Sequence, residues 1–234
     1  MKTKTNSIDR RISYKIVLDC ETAPCDRTLE ETIPTNMLTY DIGWVVTDKK
    51  GNVYESRSFV VRDIFMDEME LMQSAYYANK LPQYWTDIFN GTRKMANFYN
   101  VRKTLLEDME KYSIKEVYAH NMRFDYGALT NTERWLTKSK YRYFFPYGTV
   151  ICDTLKMSRQ VIGTMPTYKR FCEENGYLTK RGQCRFTAEI LYRFITKNHD
   201  FVESHTGLED VMIEKEIMSY CFRQHKKMNR KLWG

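Results

Sequence analysis

Apolar and polar positions alternate along this chain in two rhythms, one of period two and one of period three to four, and their order predicts a mixed α/β fold. Tyr14-Lys15-Ile16-Val17-Leu18-Asp19 is a short, mostly apolar run that ends in charge, with Pro24 close behind to stop further pairing. It predicts a buried strand with an acidic end. The runs Asp41–Asp48 and Val53–Val61 flank Lys49-Lys50-Gly51-Asn52, a short glycine-containing connection. That is a β-hairpin, and with the first strand it makes an antiparallel start to a sheet.

From about Asp63 to Tyr112 the pattern turns helical, with Phe98, Val101, Leu105, Met109 and Tyr112 on one stripe that should pack on the sheet. Lys115–His120 reads as another strand, followed by a helix from about Asp125 to Lys138 with Leu129 and Leu136 inward. Phe144–Asp153, carrying Val150-Ile151-Cys152, reads as a last strand ahead of a helix from Thr154. A final helix is expected from about Gly207 to Phe222, with Leu208, Val211, Met212 and Met218 facing inward. The domain plan is a polar, flexible leader over residues 1–13, a single domain over 14–222 and a basic tail over 223–234.

Composition narrows the partners. The chain has 234 residues, 42% of them hydrophobic, enough for one sizeable core. Its net charge of +7 favours a polyanionic partner. The six cysteines are scattered without a CxxC pair, so neither a zinc site nor a disulfide framework is expected. No apolar run approaches the ~18 residues of a membrane span, and a cytoplasmic location with reduced thiols is expected.

Candidate chemistry lies in three acidic clusters, Asp19-Cys20-Glu21, Asn121-Met122-Arg123-Phe124-Asp125 and His205-Thr206-Gly207-Leu208-Glu209-Asp210. Asp19 and Glu21, two apart on an extended segment, leave the same face while Cys20 points into packing. Asp125 falls where a strand gives way to a helix, whose start Asn121 is expected to cap. Asp210 sits in the opening turn of the last helix, with His205 on the loop before it. Four converging carboxylates make a site for two hard divalent cations, magnesium or manganese rather than zinc. A histidine titrating near ~6.5 can accept a proton from an attacking water. Such equipment cuts phosphodiesters with water.

These DxE, NxxxD and HxxxxD signatures, in this order, resemble the DEDDh branch of the DnaQ-like 3′-to-5′ exonucleases. The resemblance includes Ile16-Val17-Leu18-Asp19-Cys20-Glu21-Thr22, Tyr118-Ala119-His120-Asn121-Met122-Arg123-Phe124-Asp125 and Cys152-Asp153-Thr154-Leu155, and spans roughly Tyr14 to Phe222. It implies a ribonuclease-H-like five-stranded mixed sheet flanked by helices on both faces and stepwise removal of nucleotides from a 3′ end. It also implies two magnesium ions, with manganese as substitute, held by Asp19, Glu21, Asp125 and Asp210, and His205 as general base. Two features depart from the family pattern. Gly207 stands where the family commonly has alanine, and the segment between the hairpin and the second motif diverges more than the motifs do.

Single-stranded DNA is the expected substrate. A 3′-trimming RNA exonuclease is the alternative, as is a catalytically idle binding or proofreading subunit with a polymerase or replication partner. A Lys-, Asn- and Tyr-rich composition suits a phage or low-GC bacterial source. Thr22, Asn121 and Phe124 are candidate substrate contacts within the motifs, and Lys138, Lys140 and Arg142, interleaved with Tyr141 and Tyr143, form a candidate strand-guiding loop. Other residues read as structural. His120 should bond a buried backbone group, Asp153 should cap the helix after it, and His199 and His225 should be solvated. Lys226, Lys227, Arg230 and Lys231 should form a solvated tail. Most of Tyr76, Tyr77, Tyr84, Trp85, Phe89 and Phe98 should be core, since aromatics at helical spacing usually are.

Overall fold

A computed structural model describes residues 8–25, 37–203 and 206–233. β1 (Lys15–Pro24) runs between β2 (Met37–Thr47) and β5 (Glu116–Ala119), antiparallel to the first and parallel to the second. β3 (Val53–Val61) pairs antiparallel with β2, as the hairpin pattern predicts, and β6 (Val150–Asp153) pairs parallel with β5. A sixth strand, β4 (Lys94–Ala96), adds parallel to the end of β3. Among the described residues the sheet is therefore six-stranded, in the order β4-β3-β2-β1-β5-β6, rather than five-stranded. Lys94-Met95-Ala96 is too short and too polar to announce a strand; the edge of β3 supplies its pairing.

The stretch from about Asp63 to Tyr112 is helical in several short pieces, with the predicted stripe on the last of them. It contains α1 (Arg62–Phe65), α2 (Met69–Gln73), a 3₁₀ turn (Ala78–Lys80), α3 (Leu81–Phe89), β4 and then α4 (Phe98–Lys111). Pro82 sits in the first turn of α3, where its missing N–H is harmless, and Asn97 caps α4 by accepting from the Asn100 N–H. The rest is α5 (Met122–Thr137), α6 (Thr154–Val161), α7 (Pro166–Glu174), α8 (Ala188–Thr196) and α9 (Gly207–Arg223). The last strand is shorter than its pattern suggests. Pro146 interrupts the approach to it, and Phe144 and Phe145 are buried as a loop plug.

Period-two alternation on β1 distributes the core to both faces. Ile16, Leu18 and Cys20 pack with Trp44, Val101, Leu105 and Leu129 beneath α4 and α5. Val17 joins Val45, Tyr118, Met157, Val211 and Ile217 beneath α6 and α9. Met212 is 41% exposed, contrary to its expected place, because Val211, Ile217 and Met218 already fill the inward stripe of α9.

The described ends of the chain pack against the domain. Ile8 and Ile12 pack against the core, while residues 1–7 of the expected leader lie outside the described residues. In the C-terminal run Lys227, Arg230 and Lys231 are exposed as expected, but the run is anchored at its end. Trp233 is buried, Arg230 pairs with Glu116, and the Asn229 N–H donates to Gln160 Oε1 at 2.8 Å. One aromatic anchor outweighs the solvation of its basic neighbours. Among the described residues no helix is long and apolar enough to cross a membrane.

Candidate metal centre

The chain positions its acidic side chains through strand ends and helix starts. β1 faces β2 with Asp19 opposite Gly43 and Glu21 opposite Asp41, and a register shift follows between Glu21 and Thr22. Alternation puts Asp19 and Glu21 on the α9 side, and Cys20 is buried on the other, as the pattern predicts. Asp210 arrives from the first turn of α9, whose start is fixed by the Asp210 N–H donating to the Thr206 carbonyl at 3.1 Å. Carboxylate oxygens of Asp19, Glu21 and Asp210 all lie within 4.8 Å of one another. Asp125, in the first turn of α5, stands beside this trio, buried, with its carboxylate bonded by the backbone N–H of Cys20.

So many carboxylates in one place resist ionisation. Burial, and then the charges of Asp125, Glu21 and Asp210, hold the Asp19 carboxyl well above the usual carboxylate range. Burial, then Asp210 and Asp41, pushes Glu21 up to about 8, with Lys80 pulling it back. Asp125 is raised to about 8, chiefly by burial. An all-oxygen donor set strained by its own repulsion matches hard divalent cations, which would relieve that repulsion.

His205, the expected base, lies outside the described residues. Asn121 stands at the N-cap of α5 and its carbonyl accepts from the Phe124 N–H at 2.8 Å, but its side chain makes no capping bond. It adopts a left-handed backbone conformation (φ 64°), which asparagine tolerates, and donates its own N–H to Asp153 Oδ1 at 3.2 Å. Asp153 also accepts from the Leu155 and Lys156 N–H groups, the capping role read from its sequence setting. His120 behaves as expected of a structural histidine, with Nε2 2.8 Å from the Phe186 carbonyl and Nδ1 3.1 Å from Thr154 Oγ1. Burial lowers its pKa.

Beside the trio lies a pocket of about 390 Å³, with Glu21 in its wall. Thr22 and Phe124 line it, as do Tyr76 and Tyr77. The last two correct the expectation of core aromatics: Tyr76 is 86% exposed, whereas Tyr84 and Phe98 are buried as expected. Trp85 and Phe89 are exposed away from this pocket. Lys138 and Arg142 lie toward the end of α5 that is away from the cluster. Lys138 ends α5 thirteen residues beyond Asp125, roughly 20 Å along a helix, where its Nζ lies over Trp135 and Arg142 faces Glu133.

Several carboxylates near the centre escaped the sequence reading, Glu214 and Glu203 among them. Glu214, one turn beyond Asp210, is fully enclosed and held well above the usual range by burial and then by Asp19 and Asp125. Glu203 is pushed up to about 7, by burial and then by Glu189. Spacing could have found the first, since residues four apart share a helix face; no pattern marks the second.

Neither a family model nor a curated protein sequence matches the chain. Solved structures do. The nuclease domain of 3′hExo, a DEDDh family member bound to rAMP, aligns with a TM-score of 0.61 at 14% identity, over 94% of this chain and 97% of that one. The chain has that fold. A 3′-exonuclease in a structure of 3′-end-specific recognition of histone mRNA stem-loop gives 0.60 at 13% identity, over 92% and 83%. E. coli Exonuclease I with a dT13 oligonucleotide gives 0.53 at 13% identity over 91% of this chain, which spans only 42% of that longer protein. The α/β, ribonuclease-H-like class is therefore that of the expectation, with one strand more.

Proposed function

We propose that this protein is a divalent-metal-dependent 3′-to-5′ exonuclease acting on single-stranded nucleic-acid ends, DNA in the first instance. The observation that carries the reading is the convergence of Asp19, Glu21 and Asp210, with Asp125 beside them, next to an aromatic pocket. Exonucleases among the structures that share the fold support it.

In this reading Asp19, Glu21, Asp125 and Asp210 hold two magnesium ions, with manganese as substitute. Bound there, such cations acidify water and neutralise charge on a leaving oxygen. His205 accepts the proton of the attacking water. Tyr76, Tyr77 and Phe124 offer faces on which the terminal bases stack, and Thr22 borders the same pocket. Lys80, whose Nζ lies 4.9 Å from the Tyr77 ring centre, brings a cation for the phosphate backbone to that side. Lys138, Lys140 and Arg142 would meet only a strand several nucleotides longer. A polymerase or replication partner would supply ends rather than chemistry.

The test is time-resolved degradation of 5′-labelled and 3′-labelled single-stranded DNA and RNA of equal sequence, with magnesium, manganese or chelator, beside His205→Ala. A metal-dependent ladder shortening from the 3′ end, lost in the variant, is expected, and the two sugars are ranked by rate. Binding without cleavage under every metal condition overturns the reading.

A further inference from the structure

Asp41 is a wholly buried carboxylate in the middle of β2. Its Oδ2 accepts three hydrogen bonds, from the Tyr84 hydroxyl at 2.6 Å, Arg93 Nη1 at 3.0 Å and the backbone N–H of Gly207 at 3.3 Å. Its Oδ1 accepts none from the described residues. A buried charge satisfied on one oxygen only is a poor way to stabilise a fold, since its desolvation offsets much of what its partners return. What the arrangement does provide is a fixed point. Donors from α3, from the loop before β4 and from the first residue of α9 meet on one atom.

A second contact lies beside it. A Cβ on Gly43 would fall 2.5 Å from the Gly207 carbonyl carbon, and a Cβ on Gly207 would fall 2.9 Å from the Gly43 nitrogen. The backbones of β2 and α9 therefore touch where no side chain fits. This accounts for glycine at position 207, where the family that the sequence resembles commonly has alanine. Glu21 stands opposite Asp41 across the β1–β2 register, and Gly207 lies between His205 and Asp210. The contact thus joins the two halves of the acidic cluster.

We propose that Asp41, held by Tyr84 and Arg93, is a positioning residue that locks the first turn of α9 onto β2, and so sets Asp210 against Asp19 and Glu21. The proposal rests on the reading of the cluster as the active site. Asp41 acts through Gly207. Both side chains that hold it come from the segment between the hairpin and the second motif, so the stretch that diverges from the family pattern carries the support for the third motif.

Two readouts test this on the full chain. Tyr84→Phe removes one donor and leaves the ring in place, and Arg93→Met removes another, with Arg93→Lys as the conservative partner. Amide hydrogen exchange at Gly207–Asp210 should accelerate about tenfold in Tyr84→Phe and Arg93→Met, as expected for one lost bond to a charged group. Protection of β1 and α5 should stay unchanged. On a labelled oligonucleotide, kcat should fall by a similar factor with KM unchanged, and Arg93→Lys should recover most of both. Exchange unchanged at Gly207–Asp210, or loss of protection spread evenly over the domain, overturns the proposal. Should the wild-type chain show no nuclease activity, the functional reading fails, while the exchange experiment still decides whether the lock exists.

Discussion

The backbone N–H of His120 donates to Glu214 Oε2 at 2.9 Å, tying the end of β5 to the carboxylate one turn beyond Asp210. Glu214 carries a raised pKa in this position, so its charge is a burden to the metal-free fold and its oxygen is an asset. Glu214→Gln keeps an acceptor and removes the charge, and should leave stability unchanged or improved. Glu214→Ala leaves a buried N–H unpaired and should cost about 1–3 kcal/mol. Urea unfolding of the two variants checks this, and a glutamine variant as unstable as the alanine one contradicts it.

Stability of the metal-free protein should fall as pH rises. Glu21 and Asp125 titrate at about 8 in the fold, and Asp19 is raised too. The unfolded chain releases these protons near ~4. Between those limits the folded state binds more protons than the unfolded one, so each upward step in pH favours unfolding. Thermal midpoints with chelator should therefore be lower near pH ~8 than near pH ~5.5, and magnesium should flatten the slope by favouring the ionised carboxylates. A chelated protein that gains stability over that window contradicts the account.

Lys15 is buried at the other end of β1, where Glu116 is its partner and Arg230 and the Tyr118 hydroxyl also bond that carboxylate. Burial opposes the Glu116 charge, yet the hydrogen bonds from Lys15 and Arg230 hold its pKa down at about 2. This contribution is present above the ordinary glutamate range and is lost as pH falls through about 2. Glu116→Gln strands a buried ammonium and should cost about 3–5 kcal/mol. Lys15→Met should cost less. Chemical denaturation at neutral pH distinguishes the two, and equal losses contradict the assignment.

The pocket aromatics should act on binding. Tyr77→Ala and Phe124→Ala each remove a stacking face and should raise KM for a single strand by about 5- to 150-fold, corresponding to 1–3 kcal/mol per base. Their kcat should change little. Steady-state kinetics on one oligonucleotide series check it, and an unchanged KM in both variants contradicts a base-stacking role.

The motifs were legible because strand alternation and helix starts fix their geometry locally. Asp19 and Glu21 share a face whatever packs on it, and Asp210 follows from the start of α9. Asp41 was hidden because a lone carboxylate at the head of an apolar run looks like a strand boundary, whereas β2 extends back to Met37 and buries it. The helical stripe from Phe98 to Tyr112 was legible and falls on α4 and its C-cap, whereas the short elements from Arg62 to Ala96 were not, because they are held by the sheet edge and by Asp41 rather than by their own periodicity. The place of Tyr76 and Tyr77 was hidden for the same reason, since only the tertiary arrangement brings them beside Glu21. Trp233 was missed because the basic residues around it outnumber it.

The most direct measurement is single-turnover cleavage of a 5′-labelled single strand in magnesium by wild-type protein and by Asp210→Asn, with strand binding measured in parallel. The account predicts a one-nucleotide ladder from the 3′ end for the wild type. The variant should bind the strand and cut it more than about 100-fold slower, beyond the loss expected for a group that only supports a ligand. Cleavage by Asp210→Asn at the wild-type rate, or products shortened from the 5′ end or internally, would contradict it.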